Sequence, residues 1–572
     1  MFRTPVRVIE AWRPEEVRAA LAAVDAALAE GLHVAGFVGY EAGMALEPRL
    51  ADPPWMPPEG EPLLWLGCYA GVEVDAASHP TSQGRDVGLP RTDVALSLDA
   101  EEYARRVDAV QTLIAAGETY QANLTMEACW RMDEPADAAY ARLLRAQPVE
   151  YAARLRPHEG WEILSFSPEL FFRREGERIV TKPMKGTASP GLDMTEMRAQ
   201  AAWLAADEKN RAENVMIVDL LRNDLGRVCR IGSVHVTKLF EVERYPTVLQ
   251  MTSTIEGRLR EGVGYAEIFA SLFPSGSIVG APKVQTMRRL REIEGKPRGV
   301  YTGAIGYIAP NGEAEFNVAI RTVSVRNGEA RMGVGSGIVT DSIADMEYAE
   351  CQTKLAFLTR EAEQDFSLIE TLLLEDGSYT LLREHMERMA ESAEYFRMPF
   401  DEARARAALE EARREANGER RRVRLLLDSK GSATWSATAM PAPDAGPVHG
   451  MFWPERTHSQ DRFLRHKTTR RALYDDALKA AMAAGCADAL FENERGEITE
   501  GAIHNVIAVM DGRWITPPLA CGVLPGVYRR KLQEEGRVVE GVLRREDLLR
   551  AEAVYLCNSV RGLRRMRFTE DT

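Results

Sequence analysis

The sequence predicts an α+β protein of two large domains with largely antiparallel sheets, and three observations support this. Strand patterns recur in pairs around short Asn-Gly and Asp-Gly turns, which are typical of β-hairpins. Long helical patterns lie between these pairs, as in folds that pack helices on antiparallel sheets. The charged segment 361–365 is followed by a new hairpin pattern within a chain of 572 residues. We therefore expect one domain over residues 1–362 and a second over residues 366–572.

The elements follow in chain order from their patterns. The first domain is predicted to begin with an amphipathic helix at residues 103–114 and two strands around an Arg-Glu-Gly-Glu turn at residues 163–180. Two long helices follow at residues 195–225 and 280–293, then a hairpin turning at Asn-Gly at residues 303–325 and a last helix at residues 341–358. The second domain is predicted to begin with a hairpin at residues 366–382, a helix at residues 383–396 and an Arg/Glu-rich solvated helix and turn at residues 409–422. A strand followed by a helix is expected at residues 462–476, and another hairpin at residues 503–516.

Composition restricts the class of function. The net charge of −14 argues against binding to nucleic acid or to an anionic membrane. No apolar run approaches the roughly 18 residues of a membrane span, and the N-terminus lacks the apolar stretch of a secretion signal. The seven cysteines contain no Cys-x-x-Cys pair, so neither a zinc site nor a disulfide framework is predicted. We expect a reduced, cytoplasmic protein.

Three glutamates on two predicted helices are candidate metal ligands. Glu347 and Glu350 are three residues apart and share one helix face. Glu213 lies on an otherwise apolar stripe, where a buried carboxylate needs a partner. Carboxylates from two helices suit Mg²⁺, which binds oxygen ligands. The alternative is that all three are ordinary surface positions, since glutamate is mostly exposed.

Lys185 and Glu169 are candidates for reaction chemistry in the first domain. Lys185 lies between Pro183 and Gly186 just after a strand pattern, where partial desolvation can lower the pKa of a lysine and make it a nucleophile. The alternative is a surface lysine in a turn. Glu169 lies at a strand bend and is a possible general acid. The small-residue loop 274–287 opens a helix and offers backbone N–H groups to an anion.

Lys467 and Glu500 are the corresponding candidates in the second domain. Lys467 has basic neighbours that would favour a neutral amine able to bind a carbonyl cofactor, although a basic surface turn is the alternative. Glu500 precedes a glycine and a strand, and an acidic side chain is what a pyridinium nitrogen requires. The loop 522–532 offers backbone N–H groups to an anion, and Arg383 offers a fixed positive charge.

In this order, the motifs of the first domain resemble the chorismate-utilising family, which includes anthranilate synthase, aminodeoxychorismate synthase component I, and isochorismate and salicylate synthases. The matching stretches are GETYQANLT, FSPELF, KPMKGT, ENVMIVDLLRNDLGRV, FPSGSIVGAPKVQTM, YTGAIGY, IRT, GVGSGIV and the Glu-x-x-Glu helix. Anthranilate synthases carry alanine at the position of Lys185, whereas lysine is the mark of aminodeoxychorismate synthase. The resemblance implies that Lys185 attacks C2 of chorismate and that Glu169 is the general acid/base.

The same resemblance implies further ligands. Mg²⁺ would be bound by Glu213, Glu347 and Glu350. The substrate would be bound by Gly186, Thr187, Gln250, Tyr301, Arg321 and Gly337. Gln250 stands where the family often has a histidine, which argues against an imidazole role there. Because no glutaminase motif is found, ammonia would be free or come from a glutamine amidotransferase subunit.

The second domain resembles the class IV PLP-dependent aminotransferase family over residues 366–572. This family includes branched-chain and D-amino-acid aminotransferases and 4-amino-4-deoxychorismate lyase. The resemblance implies that Lys467 carries pyridoxal 5'-phosphate and moves the proton, that Glu500 pairs with the ring nitrogen, and that Thr371 lies near the substrate. It implies a phosphate site, formed by Arg383, Val527, Tyr528 and Ser559, and a homodimer through this domain.

The fusion favours a lyase in the second half, because the first half would make its substrate. The chain would then convert chorismate to 4-aminobenzoate and pyruvate, a step of folate biosynthesis. Two alternatives stay open. The second half is a class IV amino-acid transaminase, or the chain is a nucleic-acid or scaffold protein that uses its Arg-rich stretches 409–424 and 462–471; the net charge of −14 counts against the latter.

Overall fold

A computed structural model describes the chain at residues 1–50, 55–74, 94–245, 248–359, 366–441 and 446–569. The chain divides into two compact units, one formed by residues 1–188 and 201–363 and the other by residues 189–200 and 364–572. The predicted boundary between residues 362 and 366 lies outside the described residues. Both units combine helices with sheets, which confirms the predicted α+β class.

The strands of the first unit are β1 (Arg7–Ala11), β2 (His33–Val38), β3 (Leu64–Tyr69), β4 (Ala95–Leu96), β5 (Gln121–Arg131), β6 (Tyr151–Leu155), β7 (Trp161–Ser167), β8 (Leu170–Glu175), β9 (Arg178–Lys182), β10 (Met184–Ala188), β11 (His235–Arg244), β12 (Leu249–Arg258), β13 (Gly280–Ala281), β14 (Ala304–Ile308), β15 (Ala314–Val318), β16 (Thr322–Arg326) and β17 (Glu329–Ile338). Its helices are α1 (Val17–Ala29), α2 (Tyr40–Leu46), α3 (Ala100–Ala115), α4 (Ala136–Ala146), α5 (Met194–Ala206, whose first residues belong to the second unit), α6 (Glu208–Gly226), α7 (Tyr265–Leu272), α8 (Lys283–Glu294) and α9 (Ala344–Leu355).

These strands form two antiparallel sheets. The larger has the order β1-β3-β2-β14-β15-β8-β9-β12-β10, with β11 paired to β12. The smaller has the order β13-β5-β17-β16-β7-β6, with β4 paired to β5. Consecutive strands β7 and β8 therefore lie in different sheets, and the segment that joins them carries Glu169. The aromatic rings of Phe172, Phe269 and Phe316 pack together in the core of the larger sheet, with centroids 5.2–5.6 Å apart.

Two helical predictions need correction in their bounds. The pattern at residues 195–225 forms two helices rather than one, because Asp207 ends α5 and caps α6 by accepting from the backbone N–H of Asn210. The pattern at residues 280–293 becomes helical only at Lys283, since Gly280 and Ala281 pair with β5. The predicted hairpin turning at Asn311–Gly312 is confirmed as the β14–β15 pair.

The strands of the second unit are β18 (Leu368–Glu375), β19 (Ser378–Tyr379), β20 (Arg421–Leu427), β21 (Ala433–Ala439), β22 (Val448–Phe452), β23 (Asp488–Glu492), β24 (Ile498–Gly501), β25 (Asn505–Met510), β26 (Arg513–Thr516), β27 (Val539–Glu540), β28 (Ala553–Asn558) and β29 (Gly562–Phe568). Its further helices are α10 (Leu382–Phe396), α11 (Glu402–Ala416), α12 (Ala472–Ala483), α13 (Val527–Glu534) and α14 (Arg545–Arg550).

These strands also form two sheets. The smaller has the order β19-β18-β20-β21, and the larger has the order β24-β23-β22-β29-β28-β25-β26-β27. A further pairing of β24 with β25 closes six strands of the larger sheet into a ring. The predicted hairpins at Asp376–Gly377 and Asp511–Gly512 are confirmed.

The predicted strand before Lys467 is wrong. Residues Arg462–Arg465 form a 3-10 helix, capped by the Asp461 carboxylate, which accepts from the backbone N–H of Phe463. Only the residues that follow are extended, and the backbone carbonyl of Lys467 accepts a 2.8 Å hydrogen bond from the N–H of Ile369. The chain thus holds Lys467 against β18 rather than at the end of a strand of its own.

Within the described ranges, none of the helices combines the length and apolarity needed to cross a bilayer. All seven cysteines are free, and all but Cys129 are buried.

Candidate active sites

Lys185 lies on an irregular stretch of β10 in the first unit. The register of β10 against β12 shifts between Met184 and Thr187, and Gly186 in this bulge has a φ of 89°. Such a shift re-aims the side chain that it carries. Burial lowers the pKa of Lys185, while the carboxylates of Glu213 and Glu169 oppose that change. This direction of change increases the fraction of neutral, nucleophilic amine at a given pH.

Glu169 is buried beside Lys185. Burial raises the pKa of its carboxyl to about 7, against the opposing influence of the Ser277 hydroxyl and the Lys185 charge. Ser277 donates a 2.5 Å hydrogen bond to Oε1 of Glu169, and the Ser275 hydroxyl lies 2.9 Å from that of Ser277. A carboxyl in this state can give a proton at neutral pH. The loop predicted to offer backbone N–H groups to an anion thus also supplies a hydroxyl to Glu169.

The carboxylates of the three predicted metal ligands influence one another electrostatically, but they do not form a metal-binding cluster in this structure. Burial raises the pKa of Glu213; the charges of Lys185 and Lys209 oppose that change, and the carboxylates of Glu347 and Glu350 add to it. Glu350 pairs with Lys354 at 2.7 Å, and Glu347 accepts a 2.8 Å hydrogen bond from Ser342. Within the described part of the chain, no group of three or more His, Cys, Asp or Glu side chains is close enough to hold a metal ion.

Arg321 is half-buried and lacks a carboxylate partner in the described ranges, and burial lowers its pKa to about 10. An uncompensated buried cation of this kind needs an anion. Tyr301 packs its ring against Gly333, where a Cβ would lie 2.0 Å from the ring. Both residues were predicted to bind the substrate, and a substrate anion beside Arg321 would balance the charge of its half-buried guanidinium.

The other predicted substrate residues are also placed near Lys185. A Cβ on Gly337 would lie 3.4 Å from Nζ of Lys185 and 2.6 Å from Nε2 of Gln121. Gln250 donates a 3.0 Å hydrogen bond to the hydroxyl of Thr187 across the β10–β12 pair. Gln121 itself was missed, although its motif was noted; its Oε1 is buried without a hydrogen-bond partner among the described residues.

A cavity of about 720 Å³ in the second unit contains most of the predicted cofactor site. It is lined by the predicted residues Thr371, Lys467, Glu500, Val527, Tyr528 and Ser559. Burial, together with the charges of Arg471 and Arg388, lowers the pKa of Lys467 to about 7. The volume lies in the range of cavities that enclose a small cofactor and its substrate.

Glu500 is fixed inside this cavity by three donors. Its carboxylate accepts from the Asn505 amide at 3.1 Å, the Leu524 N–H at 3.2 Å and the Tyr474 hydroxyl at 3.3 Å. Burial raises its pKa to about 7. A carboxylate held in this way, opposite a lysine with a lowered pKa, fits the ring nitrogen of PLP.

The prediction for Arg383 must be corrected. Its side chain is 77% exposed, pairs with Glu384 and does not line the cavity. Arg388, one turn and a half further along α10, does line it and is only 7% exposed. Arg388 donates two hydrogen bonds to Glu370, at 2.9 and 2.6 Å. On α10, helical periodicity directs Arg388 towards the cavity and leaves Arg383 in solvent. Both arginines stand in the same short stretch of sequence, so the residue type alone could not show which of them faces inward.

Three arginines at this cavity were also missed: Arg422, Arg424 and Arg561. Within the described ranges none of them forms an ion pair with a carboxylate. The pKa of Arg424 is lowered by burial and by the neighbouring cations, and so is that of Arg561. The stretch 409–422 was interpreted as a solvated helix and turn, but α11 ends at Ala416 and Arg422 already belongs to β20.

Comparison with known proteins assigns each half of the chain to a family. Residues 5–360 match the family described as chorismate binding enzyme, over more than half of the chain. The chain belongs to this family. Residues 367–567 match the family described as amino-transferase class IV. The two resemblances seen in the sequence are thereby confirmed, in tandem on one chain.

Individual relatives agree with this assignment of the first half. The aminodeoxychorismate synthase of Streptomyces pristinaespiralis is 44% identical over 280 residues, 48% of this chain and 38% of that protein. Aminodeoxychorismate synthase component 1 of Bacillus subtilis is 38% identical over 46% of this chain and 55% of that protein. The anthranilate synthase component I structure from Streptococcus pneumoniae has a TM-score of 0.55 at 28% identity, covering 63% of this chain and 91% of that one. The chain therefore spans about two fifths to just over half the length of these two curated relatives.

Proposed function

We propose that this chain makes 4-aminobenzoate from chorismate in two steps, one in each half. The observation that carries the proposal is the pairing, in a chorismate-binding fold, of Lys185 with a buried Glu169 whose pKa is raised to about 7. A nucleophilic amine beside a protonated carboxyl suits replacement of the C4 hydroxyl of chorismate by ammonia. The cavity around Lys467 and Glu500 suits a PLP-dependent step on the resulting amine.

The first step follows from the chemistry of the two residues. The neutral Lys185 amine attacks C2 of the ring, and Glu169 gives its proton to the departing C4 hydroxyl, which leaves as water. Ammonia then adds at C4 and expels the lysine as its neutral amine, and the ammonium group formed at C4 returns a proton to Glu169. Arg321 holds a carboxylate of the substrate, which supplies the anion that its half-buried guanidinium lacks. The product is 4-amino-4-deoxychorismate.

The proposed first step also includes a Mg²⁺ ion bound by three glutamates. Glu213, Glu347 and Glu350 would hold the ion, because carboxylate oxygens are its preferred ligands and their mutual repulsion favours a cation between them. When bound, the ion supplies positive charge for a substrate carboxylate. Glu350 would exchange its present partner, Lys354, for the metal.

In the second half, PLP would supply an electron sink for the C4 centre when bound at Lys467. Glu500 would keep the ring nitrogen protonated, and Arg388, Ser559 and the N–H groups that begin α13 would bind the phosphate. Lys467 removes the C4 proton from the substrate amine. Arg422, Arg424 and Arg561 match the two carboxylates of 4-amino-4-deoxychorismate. Loss of the enolpyruvyl group then gives an aromatic ring and pyruvate.

The ammonia source and the location are part of the same proposal. A glutamine amidotransferase subunit would supply ammonia, as the "component 1" in the name of the Bacillus subtilis relative suggests a multi-subunit enzyme. The free state of all seven cysteines fits the reducing cytoplasm. A homodimer through residues 366–572 stays a prediction.

The test supplies the purified chain with chorismate, ammonium, Mg²⁺ and PLP and identifies the products by mass. We expect 4-aminobenzoate and pyruvate in equal amounts, and glutamine should replace ammonium only when a glutaminase subunit is added. Anthranilate as the sole aromatic product would contradict the role given to Lys185. Product that forms only with an added 2-oxo acid would favour the alternative, a class IV transaminase.

Labelling tests the second half separately. The PLP-loaded protein should be yellow, and borohydride should fix the cofactor on Lys467, as located by peptide mapping. The matched control is Lys479, an exposed lysine of α12. A label on any lysine other than Lys467 would contradict the assignment.

A further inference from the structure

A buried chain of hydrogen bonds ends at the wall of the PLP cavity, and two of its members have no role in the chemistry described so far. It runs from Glu370 on β18 through His385 on α10 to Ser559, just after β28. Nδ1 of His385 lies 2.5 Å from Oε2 of Glu370, and Nε2 lies 2.9 Å from the Ser559 hydroxyl. Glu370 and His385 are each only 1% exposed, whereas Ser559 lines the cavity. We call these three side chains the Ser559 relay.

The relay meets the groups that would bind a phosphate. Oε2 of Glu370 also accepts a 2.6 Å hydrogen bond from Nη2 of Arg388, so the guanidinium and the imidazole share one oxygen. Nη1 of Arg388 donates at 3.2 Å to the carbonyl of Pro525, which precedes Gly526, the N-cap of α13. Arg388, Gly526 and Ser559 all line the cavity. A guanidinium, a helix N-terminus and a hydroxyl thus come together at one part of its wall, as an anion site requires.

Glu370 fixes the hydrogen of the imidazole on Nδ1. Arg388 donates to both carboxylate oxygens of Glu370, at 2.9 and 2.6 Å. Burial disfavours the charged form of this carboxylate, but Arg388 and His385 outweigh burial and lower the pKa of Glu370 to about 2. An ionised carboxylate only accepts hydrogen bonds, so the ring nitrogen that faces it carries the hydrogen.

Nε2 of His385 is then the atom that can gain or lose a proton. Burial lowers the pKa of His385; Glu370 opposes that change, and the positive charges of Arg388 and Lys467 add to it. The protein alone therefore favours the neutral imidazole at neutral pH, and the Nε2 atom of that form is an acceptor.

A bound phosphate dianion changes this arrangement, because its oxygens offer only acceptors. The Ser559 hydroxyl has one hydrogen, which it can donate to Nε2 of His385 at 2.9 Å or to the Thr371 carbonyl at 3.3 Å. When that hydrogen turns to a phosphate oxygen, Nε2 becomes a buried acceptor without a donor, which is costly. A proton on Nε2 removes this cost, since the imidazolium donates to the Ser559 oxygen and adds a positive charge near the anion.

We propose that a phosphate dianion bound at Ser559 protonates His385, so that cofactor binding takes up a proton through the Ser559 relay; the inference rests on the phosphate site of the proposed function. A proton from solvent forms the Nε2–H bond, and the Ser559 hydrogen turns from Nε2 to the phosphate. No other bond forms or breaks. His385 is a positioning residue, because it acts on the phosphate through Ser559. Affinity for the anion should therefore rise as the pH falls, down to the pKa of His385 in the ligand-free protein.

Sulfate is the probe for a first experiment, because it is a dianion across the neutral pH range and brings no proton of its own. It is titrated into PLP-free protein with Lys467→Ala, which removes a cavity amine whose protonation an anion could change. Calorimetry in buffers of different ionisation enthalpy gives both the affinity and the number of protons taken up. At pH 7.5 we expect about one proton more than in the same protein with His385→Gln, and an affinity that changes by up to about tenfold per pH unit.

Nitrogen NMR locates that proton. In ¹⁵N-histidine-labelled protein, the His385 signals are identified by their absence from His385→Gln. Saturating sulfate should move Nε2 from the unprotonated to the protonated range, while Nδ1 stays protonated throughout. In the PLP-loaded protein, the ³¹P signal should remain that of the dianion at pH 6, where a free phosphate monoester is partly protonated. An Nε2 atom that stays unprotonated at saturating sulfate, or a bound phosphate that holds the proton instead, would overturn the inference.

Two variants and a control separate the relay from a general structural effect. His385→Gln offers an amide to Ser559 but cannot titrate, so its sulfate affinity should lose most of the pH dependence. Ser559→Ala leaves the contact of Glu370 with His385 in place but removes the link to the anion, so it should take up fewer protons than the parent protein. His449→Gln, at an exposed residue of β22, should keep the parent's proton uptake. Equal proton uptake in all of these proteins would contradict the relay, and Ser559→Ala decides alone if His385→Gln does not fold.

The outcomes also separate this inference from the proposed function. If the wild-type chain binds neither PLP nor sulfate, the phosphate site fails, and the proposed second step fails with it. If PLP binds and sulfate is bound without protonation of His385, only the relay is wrong. PLP binding without any sulfate binding would also overturn the relay, because the affinity would then come from contacts other than the anion site.

Discussion

The hydroxyl of Ser277 donates a 2.5 Å hydrogen bond to Oε1 of Glu169, and both side chains are buried. The bond stabilises the carboxylate form, whereas burial disfavours it and raises the pKa of Glu169 to about 7. Ser277 belongs to a loop held in place by Lys283, which pairs with the buried Asp224 at 2.6 Å and also donates to the carbonyl of Pro274. The protonation state of Glu169 therefore depends on how this loop is held.

Replacing Glu169 by Gln should stabilise the fold at alkaline pH. Between pH 4.5 and about 7 the folded chain retains a proton on Glu169 that the unfolded chain releases, so this group lowers stability as the pH rises through that window. The advantage of Glu169→Gln over wild type should grow across the window and reach at most about 3 kcal/mol. Urea unfolding at pH 5 and pH 8 measures it; an advantage that does not change with pH would contradict the raised pKa.

Ser277→Ala should shift the pH dependence of the amination step. Loss of the hydroxyl removes a hydrogen bond that favours the carboxylate, so the pKa of Glu169 should rise further. If Glu169 acts as an acid, the alkaline loss of kcat/KM should then move to higher pH, measured at a constant concentration of unprotonated ammonia. Ser277→Thr restores the hydroxyl and should restore the wild-type profile. An alkaline limb that stays in place would exclude control of Glu169 by Ser277.

Lys185→Ala should abolish amination of chorismate while leaving the second step intact. The nucleophile is lost, but Lys467 and its cavity belong to the other unit, and sites that share no interaction partners contribute independently. Pyruvate release from supplied 4-amino-4-deoxychorismate should match wild type, and Lys238→Ala, an exposed lysine of β11, should change neither rate. Unchanged amination in Lys185→Ala would reduce this lysine to a turn residue.

The fold class could be predicted because hairpin turns and helical periods are local signals. The β14–β15 hairpin follows from Asn311–Gly312, and the approximate position of α10 follows from its apolar period. The placement of β7 and β8 in different sheets could not be predicted, since strand pairing between distant residues leaves no local pattern. That placement is what buries Glu169 and raises its pKa.

Site residues could be predicted from the sequence where they stand inside recognisable motifs. Lys467 and Glu500 stand in recognisable stretches and line one cavity. Arg424 and Arg561 could not be found in this way, because their importance depends on a cavity formed by residues far apart in sequence. Their signal is a physical one, a partly buried cation that has no carboxylate partner among the described residues.

Glu350→Gln should raise the Mg²⁺ concentration needed for amination and lower its maximum rate. The change removes one ligand charge at nearly constant volume, and Glu350 is half exposed, so the free energy of unfolding should change little. Asp345→Asn, at an exposed position on the same helix, is the control. The measurement is the rate of aminodeoxychorismate formation over a Mg²⁺ titration. A titration curve identical to wild type would assign Glu350 to its surface pair with Lys354 alone.

Arg383 and Arg388 should differ sharply in their effect on PLP. Arg383→Gln changes an exposed side chain outside the cavity, so cofactor content and absorbance should match wild type. Arg388→Gln removes a buried cation that lines the cavity and leaves the buried carboxylate of Glu370 with the His385 imidazole as its remaining partner. We expect weaker PLP binding and a loss of about 3–5 kcal/mol in the free energy of unfolding.

Because Arg388→Gln affects both PLP binding and stability, PLP affinity is measured by titration at a temperature where urea unfolding shows the variant to be folded. Arg388→Lys keeps the charge and should recover part of both. If Arg383→Gln loses the cofactor and folded Arg388→Gln retains it, the phosphate contact belongs to Arg383 after all.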